Sequence, residues 1–364
     1  MWGTMLKTRT DAGPAADALR KLSEKHSLSL EEYALLIENR DALAEPASKL
    51  ADAARRRFYG NTVFVRGLIE IGNVCRNNCL YCGIRHDNIR CSRYLLSPDD
   101  ILRCCSEGYS LGFRTFVLQG GERCGYTVEG ICSVVSEIKE KFPDCAVTLS
   151  LGEYPRADYQ AMFDSGADRY LLRHETADRQ HYEMLHPPGM SFENRMRCLY
   201  DLKDIGYQTG CGFMVGSPGQ TVQTIAKDLK FIENFSPEMC GIGPFIPHRD
   251  TPFKDEPPGS AGMTAYLLSL IRLIKPNVLL PSTTALNTIS EDGRKIGILA
   301  GANVIMPNLS PAGEREKYSL YNGKLSSGAE SAQNADRLKA EMKSIGYEVV
   351  VSRGDIENKE KYKI

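Results

Sequence analysis

The sequence has little of what marks membrane, exported and nucleic-acid-binding proteins. In its 364 residues no stretch approaches the roughly 20 consecutive apolar residues that span a bilayer. No charged segment followed by an apolar run stands near Met1. The formal net charge is only -1, with basic and acidic residues interspersed, which argues against the basic face that contacts a phosphate backbone. We therefore expect a cytoplasmic protein that binds neither membrane nor nucleic acid.

Two nucleotide-binding motifs are also missing. No Gly-x-Gly-x-x-Gly follows the first strand-like run and no Gly-Lys-Ser/Thr phosphate loop occurs, which argues against dinucleotide-binding and P-loop folds. The chain does carry 12 cysteines, but a long chain without an export signal is not a small disulfide-stapled domain. Most of these cysteines are therefore expected to be free thiols, and none follows Cys240.

Short β-branched runs alternate with amphipathic segments from residue 59 onward. Eight of them are predicted strands, at residues 63–71, 115–118, 147–151, 169–172, 209–215, 240–246, 278–281 and 303–306. Eight strand-helix units in about 250 residues predict an α/β fold of the (β/α)8 TIM barrel type, with an incomplete barrel as the alternative. The predicted organisation is an N-terminal helical extension (1–58), the barrel (59–325) and a C-terminal helix-strand appendage (326–364).

Serine residues mark the starts of several predicted helices. Ser29 is followed three residues later by Glu32, a capping box that predicts a helix start in the N-terminal extension. Ser97 precedes a proline that suits the first helical position. Ser191 is predicted to open another helix. A helix at about 329–344 and a strand in YEVVVSR are predicted for the appendage.

Three cysteines, Cys75, Cys79 and Cys82, follow the first predicted strand in the stretch IGNVCRNNCLYCGIR, the thiol loop (residues 71–85). Catalytic groups of such barrels come from the carboxyl ends of the strands, and soft thiolates suit zinc or an iron–sulfur cluster. A closed structural zinc site needs a fourth ligand, which Cys91 could supply. A four-iron cluster on three thiolates instead keeps one iron open to an outside ligand.

The thiol loop, with Tyr81 before its last cysteine, resembles the radical S-adenosylmethionine (SAM) superfamily. That resemblance implies one 4Fe-4S cluster held by the three cysteines, SAM on the open iron, and reductive cleavage of SAM to a 5′-deoxyadenosyl radical. LQGGER resembles the Gly-Gly-Glu segment of the superfamily. The resemblance therefore implies that Gly120, Gly121 and Glu122 lie beside the SAM amino group, and that Tyr81 also belongs to the cofactor site.

Longer stretches, among them DRYLLRHETAD, SFENR, GIGPFIPHRDTPF and PSTTALNT, resemble the HydE family of FeFe-hydrogenase maturases over about residues 59–321. This resemblance implies that Glu175 binds the SAM ribose and that Arg195 pairs with the methionine carboxylate of SAM. The substrate-binding residues that it implies are Gln119, Arg173, Met239, Thr283, Thr284, Ala285, Met306, Tyr318 and Tyr321. As alternatives, the two threonines satisfy local backbone and the two methionines are plain core.

The HydE resemblance implies assembly of the di-iron active site of FeFe-hydrogenase, by adenosyl-radical chemistry on a cysteine-bound Fe(CO)2(CN) precursor. It also implies a small organometallic or cysteine-derived substrate, transient contact with the HydG and HydF maturases, and an electron donor such as ferredoxin or flavodoxin. A single cluster is expected, because the C-terminal region has no cysteine.

Two alternatives remain open from the sequence. One is another radical SAM enzyme, such as 3-methylornithine synthase or a biotin synthase-like enzyme. Biotin synthase needs further barrel cysteines, and Cys145, Cys211 and Cys240 fall on strand-like runs. The other alternative is a non-enzymatic metal-binding assembly module, in which the thiols hold zinc or a structural cluster.

Overall fold

The computed structural model describes residues 13–325 and 331–362 and has parallel strands at its centre. The strands are β1 (Thr62–Val65), β2 (Gly67–Gly72), β3 (Thr115–Gly120), β4 (Ala146–Ser150), β5 (Arg169–Leu171), β6 (Gln208–Cys211), β7 (Met214–Val215), β8 (Met239–Cys240), β9 (Gly243–Pro244), β10 (Val304–Ile305) and β11 (Glu348–Val350). All eight predicted runs occupy strand positions, although the run at 278–281 is reduced to single bridges at Leu279 and Pro281.

Eight strand positions form a closed ring. Strands β2, β3, β4, β5, β6 and β8 are successive neighbours in one parallel sheet. The ring continues through Leu279, which bridges to β8, and through Ser282, whose N–H donates to the Val304 carbonyl at 2.9 Å. Strand β10 then pairs with β1, and Leu68 bridges to Asn308. The predicted TIM barrel is confirmed, and the incomplete barrel is wrong.

A close approach of two glycines interrupts two barrel strands. A Cβ atom on Gly212 would lie 2.0 Å from the carbonyl oxygen of Gly241, so only glycine fits between these backbones. The predicted strand 209–215 is therefore split into β6 and β7, and the strand 240–246 into β8 and β9. The short outer pair β7·β9 lies beyond the break, toward the carboxyl end of the barrel.

Helices surround the barrel. Over the described residues they are α1 (Pro14–Lys25), α2 (Leu30–Glu38), α3 (Arg40–Tyr59), α4 (Pro98–Ser110), α5 (Val128–Lys141), α6 (Arg156–Asp164), α7 (Arg179–Leu185), α8 (Phe192–Ile205), α9 (Val222–Phe235), α10 (Ala261–Ile274), α11 (Thr284–Ile289), α12 (Gly293–Leu299), α13 (Ala312–Arg315) and α14 (Ala335–Ser344). The predicted capping box of Ser29 and the N-caps Ser97 and Ser191 are confirmed. None of the described helices is both long and apolar enough to cross a membrane.

The N-terminal helices form an outer layer on the barrel helices. Helix α3 packs against α10, and α2 packs against α9. The Tyr33 hydroxyl donates to Glu233 Oε2 at 2.7 Å, and the Tyr266 hydroxyl donates to the Leu36 carbonyl at 2.8 Å. Residues 1–12 of the predicted extension lie outside the described residues, and α3 runs to Tyr59 before the first barrel strand.

The C-terminal segment closes the amino end of the barrel. Helix α14 follows a short 3-10 turn, and β11 pairs in parallel with β1, so the predicted helix and strand of the appendage are confirmed over 331–362. Beyond β11, Arg169 Nη2 donates to Asp355 Oδ1 at 2.5 Å, and Arg353 Nη2 donates to Asp168 Oδ1 at 2.9 Å. These four residues are the floor network. Residues 326–330 of the appendage lie outside the described residues.

Candidate active site

The thiol loop follows β2 at the carboxyl end of the barrel, as predicted. Cys75, Cys79 and Cys82 are free and partly buried, and the Cys79 Sγ lies 3.7 Å from the Met190 Sδ. Burial raises the pKa of all three thiols, that of Cys79 to about 12, and the nearby Cys75 adds to the shift at the other two. Because metals bind the thiolate, a metal held by these residues would have to displace their protons.

The arrangement of the thiols fits a cluster better than a single ion. Thiolates on one zinc crowd together, because every Zn–S bond is about 2.3 Å, whereas on a four-iron cluster each thiolate ligates its own iron. Within 13–325 and 331–362, no three His, Cys, Asp or Glu side chains converge on one ion. Burial raises the pKa of Cys91, and the Cys91 Sγ accepts from Asn73 Nδ2 at 3.5 Å. Cys91 therefore stands apart, and a closed zinc site is not supported.

Gly121 brings the loop after β3 into contact with the thiol loop. A Cβ atom at this position would lie 2.1 Å from the Val74 carbonyl oxygen and 2.8 Å from the Cys75 Cβ. Any side chain here would push the first cysteine out of place. Gly120 lies against Cys124: a Cβ atom added to Gly120 would lie 3.1 Å from the Cys124 Sγ. The structure thus gives Gly121 a steric reason beside the thiol loop, whereas Gly120 packs mainly against Cys124 of its own loop.

Glu122 joins three loops at the edge of a cleft. Its Oε1 accepts from Arg76 Nε at 2.7 Å, and its Oε2 accepts from the backbone N–H of Glu153 at 3.0 Å. The cleft has a volume of about 470 Å³ and lies between the thiol loop, these carboxylates and the segment 187–194. Glu153, which the sequence analysis did not assign, also accepts from Asn194 Nδ2 at 2.5 Å. Its signal in the sequence was its place just after a strand, like that of Glu122.

Three predicted residues meet at the carboxyl end of β5. Arg195 donates through Nε to Glu153 Oε1 at 2.6 Å and through Nη1 to the Arg173 carbonyl at 2.8 Å. Arg173 Nη2 lies 3.3 Å from Glu175 Oε2, but the two atoms form no hydrogen bond. Arg173 Nε and Nη2 and Glu175 Oε2 are buried without any hydrogen-bond partner. Such unsatisfied donors and acceptors suit the hydroxyl and carboxylate groups of a ligand like SAM.

Glu175 is held in an unusual backbone conformation. Its φ is 65°, in the left-handed region, which costs a non-glycine residue on the order of 1 kcal/mol. Neighbouring contacts hold it there: the Gly212 N–H donates to His174 Nδ1 at 3.2 Å, and the Ala177 N–H donates to Asp228 Oδ1 at 2.5 Å. His174 Nε2 lies 3.5 Å from the same Asp228 oxygen, and burial lowers the pKa of His174 to about 3. Backbone strain of this kind is common at functional sites.

A polar group fills the barrel interior below the site. The predicted substrate residues Gln119 and Tyr318 meet, with 3.3 Å between Nε2 and the hydroxyl. Lys324 Nζ donates to Glu70 Oε1 at 2.6 Å, and Asn308 Nδ2 donates to Glu70 Oε2 at 2.9 Å. The Lys324 Nζ also lies 5.2 Å from the centre of the Tyr318 ring. Glu70 and Lys324 were missed, although a lone glutamate in an apolar strand was a signal.

Residues 317–325 form a strap across the mouth of the barrel. The Gly83 N–H in the thiol loop donates to the Leu320 carbonyl at 2.8 Å, and the Asn322 N–H donates to the Pro247 carbonyl at 3.1 Å. The strap thereby links the thiol loop to the loop after β9. Within the strap, Tyr318 is buried and Tyr321 is partly buried, so both predicted tyrosines lie near the mouth.

The remaining predicted substrate residues have local roles. The Thr283 Oγ1 accepts from the Leu286 N–H at 3.4 Å and caps α11, in which Thr284 and Ala285 are the first two residues. Met239 accepts from Arg66 Nη1 at 3.0 Å through its Sδ. Met239 and Met306 belong to one small hydrophobic cluster. Thr283 thus satisfies local backbone, and Met239 and Met306 pack in a hydrophobic cluster, as the alternative interpretation of these residues expected.

The strand cysteines do not form a second cluster site. Cys211 and Cys240 are register partners on β6 and β8 and belong to the main hydrophobic core. Burial raises the pKa of Cys211, the neighbouring Cys240 thiol raises it further, and the next charged groups are Lys203 of α8 and Asp228 of α9. These thiols therefore face the helix layer. Cys145 precedes β4, beside the Phe113 carbonyl, away from the thiol loop.

Comparison with known proteins identifies the family of the chain. Residues 69–232 match the family model described as Radical SAM superfamily. The chain is 47% identical over 281 residues to the [FeFe] hydrogenase maturase subunit HydE of Thermotoga maritima, covering 77% of this chain and 80% of that protein. It is 27% identical to the 3-methylornithine synthase of Methanosarcina acetivorans, over 79% of this chain and 81% of that protein.

Solved structures share the fold. The crystal structure of methylornithine synthase (PylB) superposes with a TM-score of 0.80 and 23% identity, covering 92% of this chain and 97% of that chain. The crystal structure of HydG, a maturase of the [FeFe]-hydrogenase, has a TM-score of 0.77 and 19% identity, covering 94% of this chain and 77% of that chain. At these identities the two structures support the barrel fold alone.

Proposed function

The chain belongs to the HydE family within the radical SAM superfamily, and on that premise we propose that it helps to assemble the di-iron active site of an FeFe-hydrogenase. The substrate that we propose is a cysteine-bound Fe(CO)2(CN) precursor. The observation that carries the proposal is the 47% identity with a hydrogenase maturase, together with a loop of three, not four, thiols at the mouth of a closed barrel.

The residues of this chain have separate tasks in the proposed reaction. Cys75, Cys79 and Cys82 would hold a 4Fe-4S cluster, and the Gly121 contact keeps their loop in register with β3. Glu175 presents a buried unsatisfied carboxylate oxygen that would orient SAM. When bound, the cluster supplies the electron that breaks a C–S bond of SAM and releases the adenosyl radical.

The barrel interior supports an anionic substrate with several ligand groups. Gln119, Tyr318 and Lys324 place an amide, a hydroxyl and an ammonium group in one region. Thiolate, cyanide and carboxylate groups need such donors when they leave water. We propose that these three residues, with Arg173, hold the precursor while the adenosyl group approaches it. Tyr321 in the strap would complete the cavity at its mouth.

Other enzymes of the superfamily are weaker candidates. The chain is 27% identical to a 3-methylornithine synthase and 23% identical to the biotin synthase of Desulforudis audaxviator, against 47% for the HydE relative. The cysteines that a second cluster would need face the helices, which argues against biotin synthase-like sulfur insertion. A non-enzymatic assembly module is wrong, because the chain is a radical SAM enzyme.

The proposed function sets the partners and the compartment. HydG would supply the precursor, HydF would receive the product, and ferredoxin or flavodoxin would supply the electron. We propose that these contacts are transient and take place in the cytoplasm.

Complementation and anaerobic biochemistry test the proposal together. In a strain that lacks its own HydE, the gene should restore hydrogenase activity, while a gene encoding Cys79→Ser should not. The purified and reconstituted protein should contain about four irons per chain, change its EPR spectrum when SAM is added, and release 5′-deoxyadenosine under reduction.

Two outcomes would contradict different parts of the proposal. Full SAM cleavage without complementation would leave a radical SAM enzyme with another substrate. A protein with zinc and no response to SAM would refute the cluster itself. Cys91→Ser serves as the matched control, since this thiol stands outside the site.

A further inference from the structure

The middle of the thiol loop is supported by the segment that follows α7. The Leu80 N–H donates to the Leu185 carbonyl at 3.0 Å. The Tyr81 hydroxyl lies 3.2 Å from His186 Nε2. Together with the Cys79 contact to Met190, three consecutive loop residues touch residues 185–190. Each of the three contacts is made by a different residue of the thiol loop, so together they fix the position of this part of the loop.

The direction of the Tyr81 hydrogen bond follows from the other side of the imidazole. His186 Nδ1 lies 2.9 Å from the Tyr182 carbonyl oxygen, and a carbonyl can only accept, so Nδ1 carries a proton. Burial lowers the pKa of His186 to about 3, which leaves the neutral ring with this single proton. The Nε2 lone pair is therefore free to accept, and the Tyr81 hydroxyl donates to it.

Aromatic packing fixes the imidazole in this orientation. His186 is 3% exposed. Its ring stacks on Tyr182 at a centroid distance of 3.9 Å and meets the edge of Tyr81 at 5.5 Å and 87°. Tyr182 is in turn packed edge-on against Phe192. Rotating the imidazole would break the stack and leave a buried carbonyl unpaired.

We propose that His186 is a positioning residue for SAM: it accepts the Tyr81 hydroxyl hydrogen bond and so fixes the Tyr81 ring against the cofactor site. His186 itself does not touch the reacting atoms. Tyr81 lies between Cys79 and Cys82 in the sequence, so the angle of its ring would shape the surface onto which SAM docks. Without the acceptor, the Tyr81 ring would be free to tilt. SAM would then bind more weakly, while the rate of the cleavage step would stay the same. This inference is independent of the substrate proposed above.

Four variants separate positioning from general packing. His186→Leu removes the acceptor and should raise the KM for SAM about fivefold to tenfold, the worth of one buried hydrogen bond, with kcat and iron content unchanged. His186→Gln keeps an acceptor and should restore most of the affinity. Tyr81→Phe should raise the KM like His186→Leu, and the double variant should be no worse than either alone. Unchanged SAM KM in His186→Leu would overturn the proposal, as would a uniform loss of kcat in all four.

A spectroscopic measurement tests the same hydrogen bond without the cofactor. In protein free of iron and SAM, labelled with nitrogen-15 histidine, the His186 signal should show protonated Nδ1 and unprotonated Nε2. Tyr81→Phe should then shift the Nε2 resonance toward that of an imidazole nitrogen with no donor. This experiment remains decisive if His186→Leu folds poorly. A His186 signal that ignores Tyr81→Phe, or that shows the opposite tautomer, would refute the proposal.

Discussion

Arg169 and Arg173 stand at the two ends of the same barrel strand and differ in how their guanidinium groups are satisfied. At the amino end, Arg169 donates to Thr115, to the Arg353 carbonyl and to Asp355. At the carboxyl end, two nitrogens of Arg173 are buried without a hydrogen bond. Other groups of the protein satisfy the lower arginine, whereas the upper one lies beside Glu175 and keeps two nitrogens without a hydrogen bond.

The difference separates two uses of buried charge in one barrel. The floor network joins Arg353 and Asp355 of the C-terminal tail to Asp168 and Arg169 at the start of β5. Few of its donors lack a hydrogen-bond partner, so it stabilises the closed barrel. The upper residues keep unmet polar atoms and a strained backbone at Glu175, which costs stability and is typical of a site that binds something. Variants at the two ends should therefore affect different measurements.

Loss of a cluster ligand should have the largest effect at the upper end. Cys79→Ser removes one of three thiolates, and we expect SAM cleavage to fall below detection and the iron content to drop. The fold should survive, because the barrel core is untouched. Iron analysis, circular dichroism and 5′-deoxyadenosine release measure these effects, with Cys91→Ser as control. Equal losses in both variants would show that Cys91 belongs to the site.

Glu175→Gln should separate binding from stability. A hydrogen bond to a charged group is worth about 1.5 to 3 kcal/mol, so the affinity for SAM should fall roughly tenfold to a hundredfold. The melting temperature should change little, because the loss of the ion pair with Arg173 is offset by the smaller cost of burying a neutral amide of the same size. EPR titration and thermal unfolding measure both quantities. A lower melting temperature with unchanged affinity would make Glu175 a structural residue.

Arg169→Leu should do the opposite at the lower end. Removing the buried guanidinium leaves the Thr115 hydroxyl, the Arg353 carbonyl and Asp355 without this donor. Each lost hydrogen bond costs about 1 kcal/mol or more, so the free energy of unfolding should drop by about 3 kcal/mol. SAM cleavage per cluster should remain at the parent rate in the folded protein. Urea unfolding under anaerobic conditions, followed by activity per iron, provides the test. Lost activity without lost stability would erase the contrast between the two arginines.

Asp355→Asn should give the smallest effect, and a pH-dependent one. Burial alone would raise the pKa of Asp355, but the hydrogen bond from Arg353 and the charge of Arg169 hold this pKa well below its usual range. The carboxylate therefore stabilises the fold above its unfolded pKa of about 3.9 and stops doing so as the pH falls below it. The free energy of unfolding of the variant should be lower by about 1 kcal/mol at pH 7, a small amount because the Asp355 side chain is partly exposed to solvent. The gap to the parent protein should narrow below pH 4 in thermal unfolding, whereas a constant gap would contradict this account.

The barrel and the thiol loop were predictable because their signals are local. The eight strand runs carry β-branched residues in sequence, and the chemistry of Cys75, Cys79 and Cys82 resides in residue type and spacing. The split of two strands at Gly212 was not predicted, since it arises from contact with Gly241. The strand at 278–281 was also overestimated, because only single bridges form there.

Partners that come from distant parts of the chain could not be predicted. Glu70 and Lys324 are 254 positions apart, and nothing near either residue indicates the other. Asp228 lies on α9, and the sequence does not show that its side chain faces His174, because packing decides which side of the helix is buried. In the same way, Arg169 and Arg173 look alike in the sequence, because the residues that satisfy Arg169 come from the C-terminal tail.

The hydrogen bond between Gly83 and Leu320 has a consequence for biosynthesis. The loop that carries the cysteines precedes Leu320 by more than 200 positions, yet the Gly83 N–H of this loop donates to the Leu320 carbonyl. During translation this loop therefore emerges from the ribosome long before its support exists. Iron and sulfide delivered at that stage would meet an incomplete cradle, so the cofactor is best installed after the whole polypeptide has been released and folded.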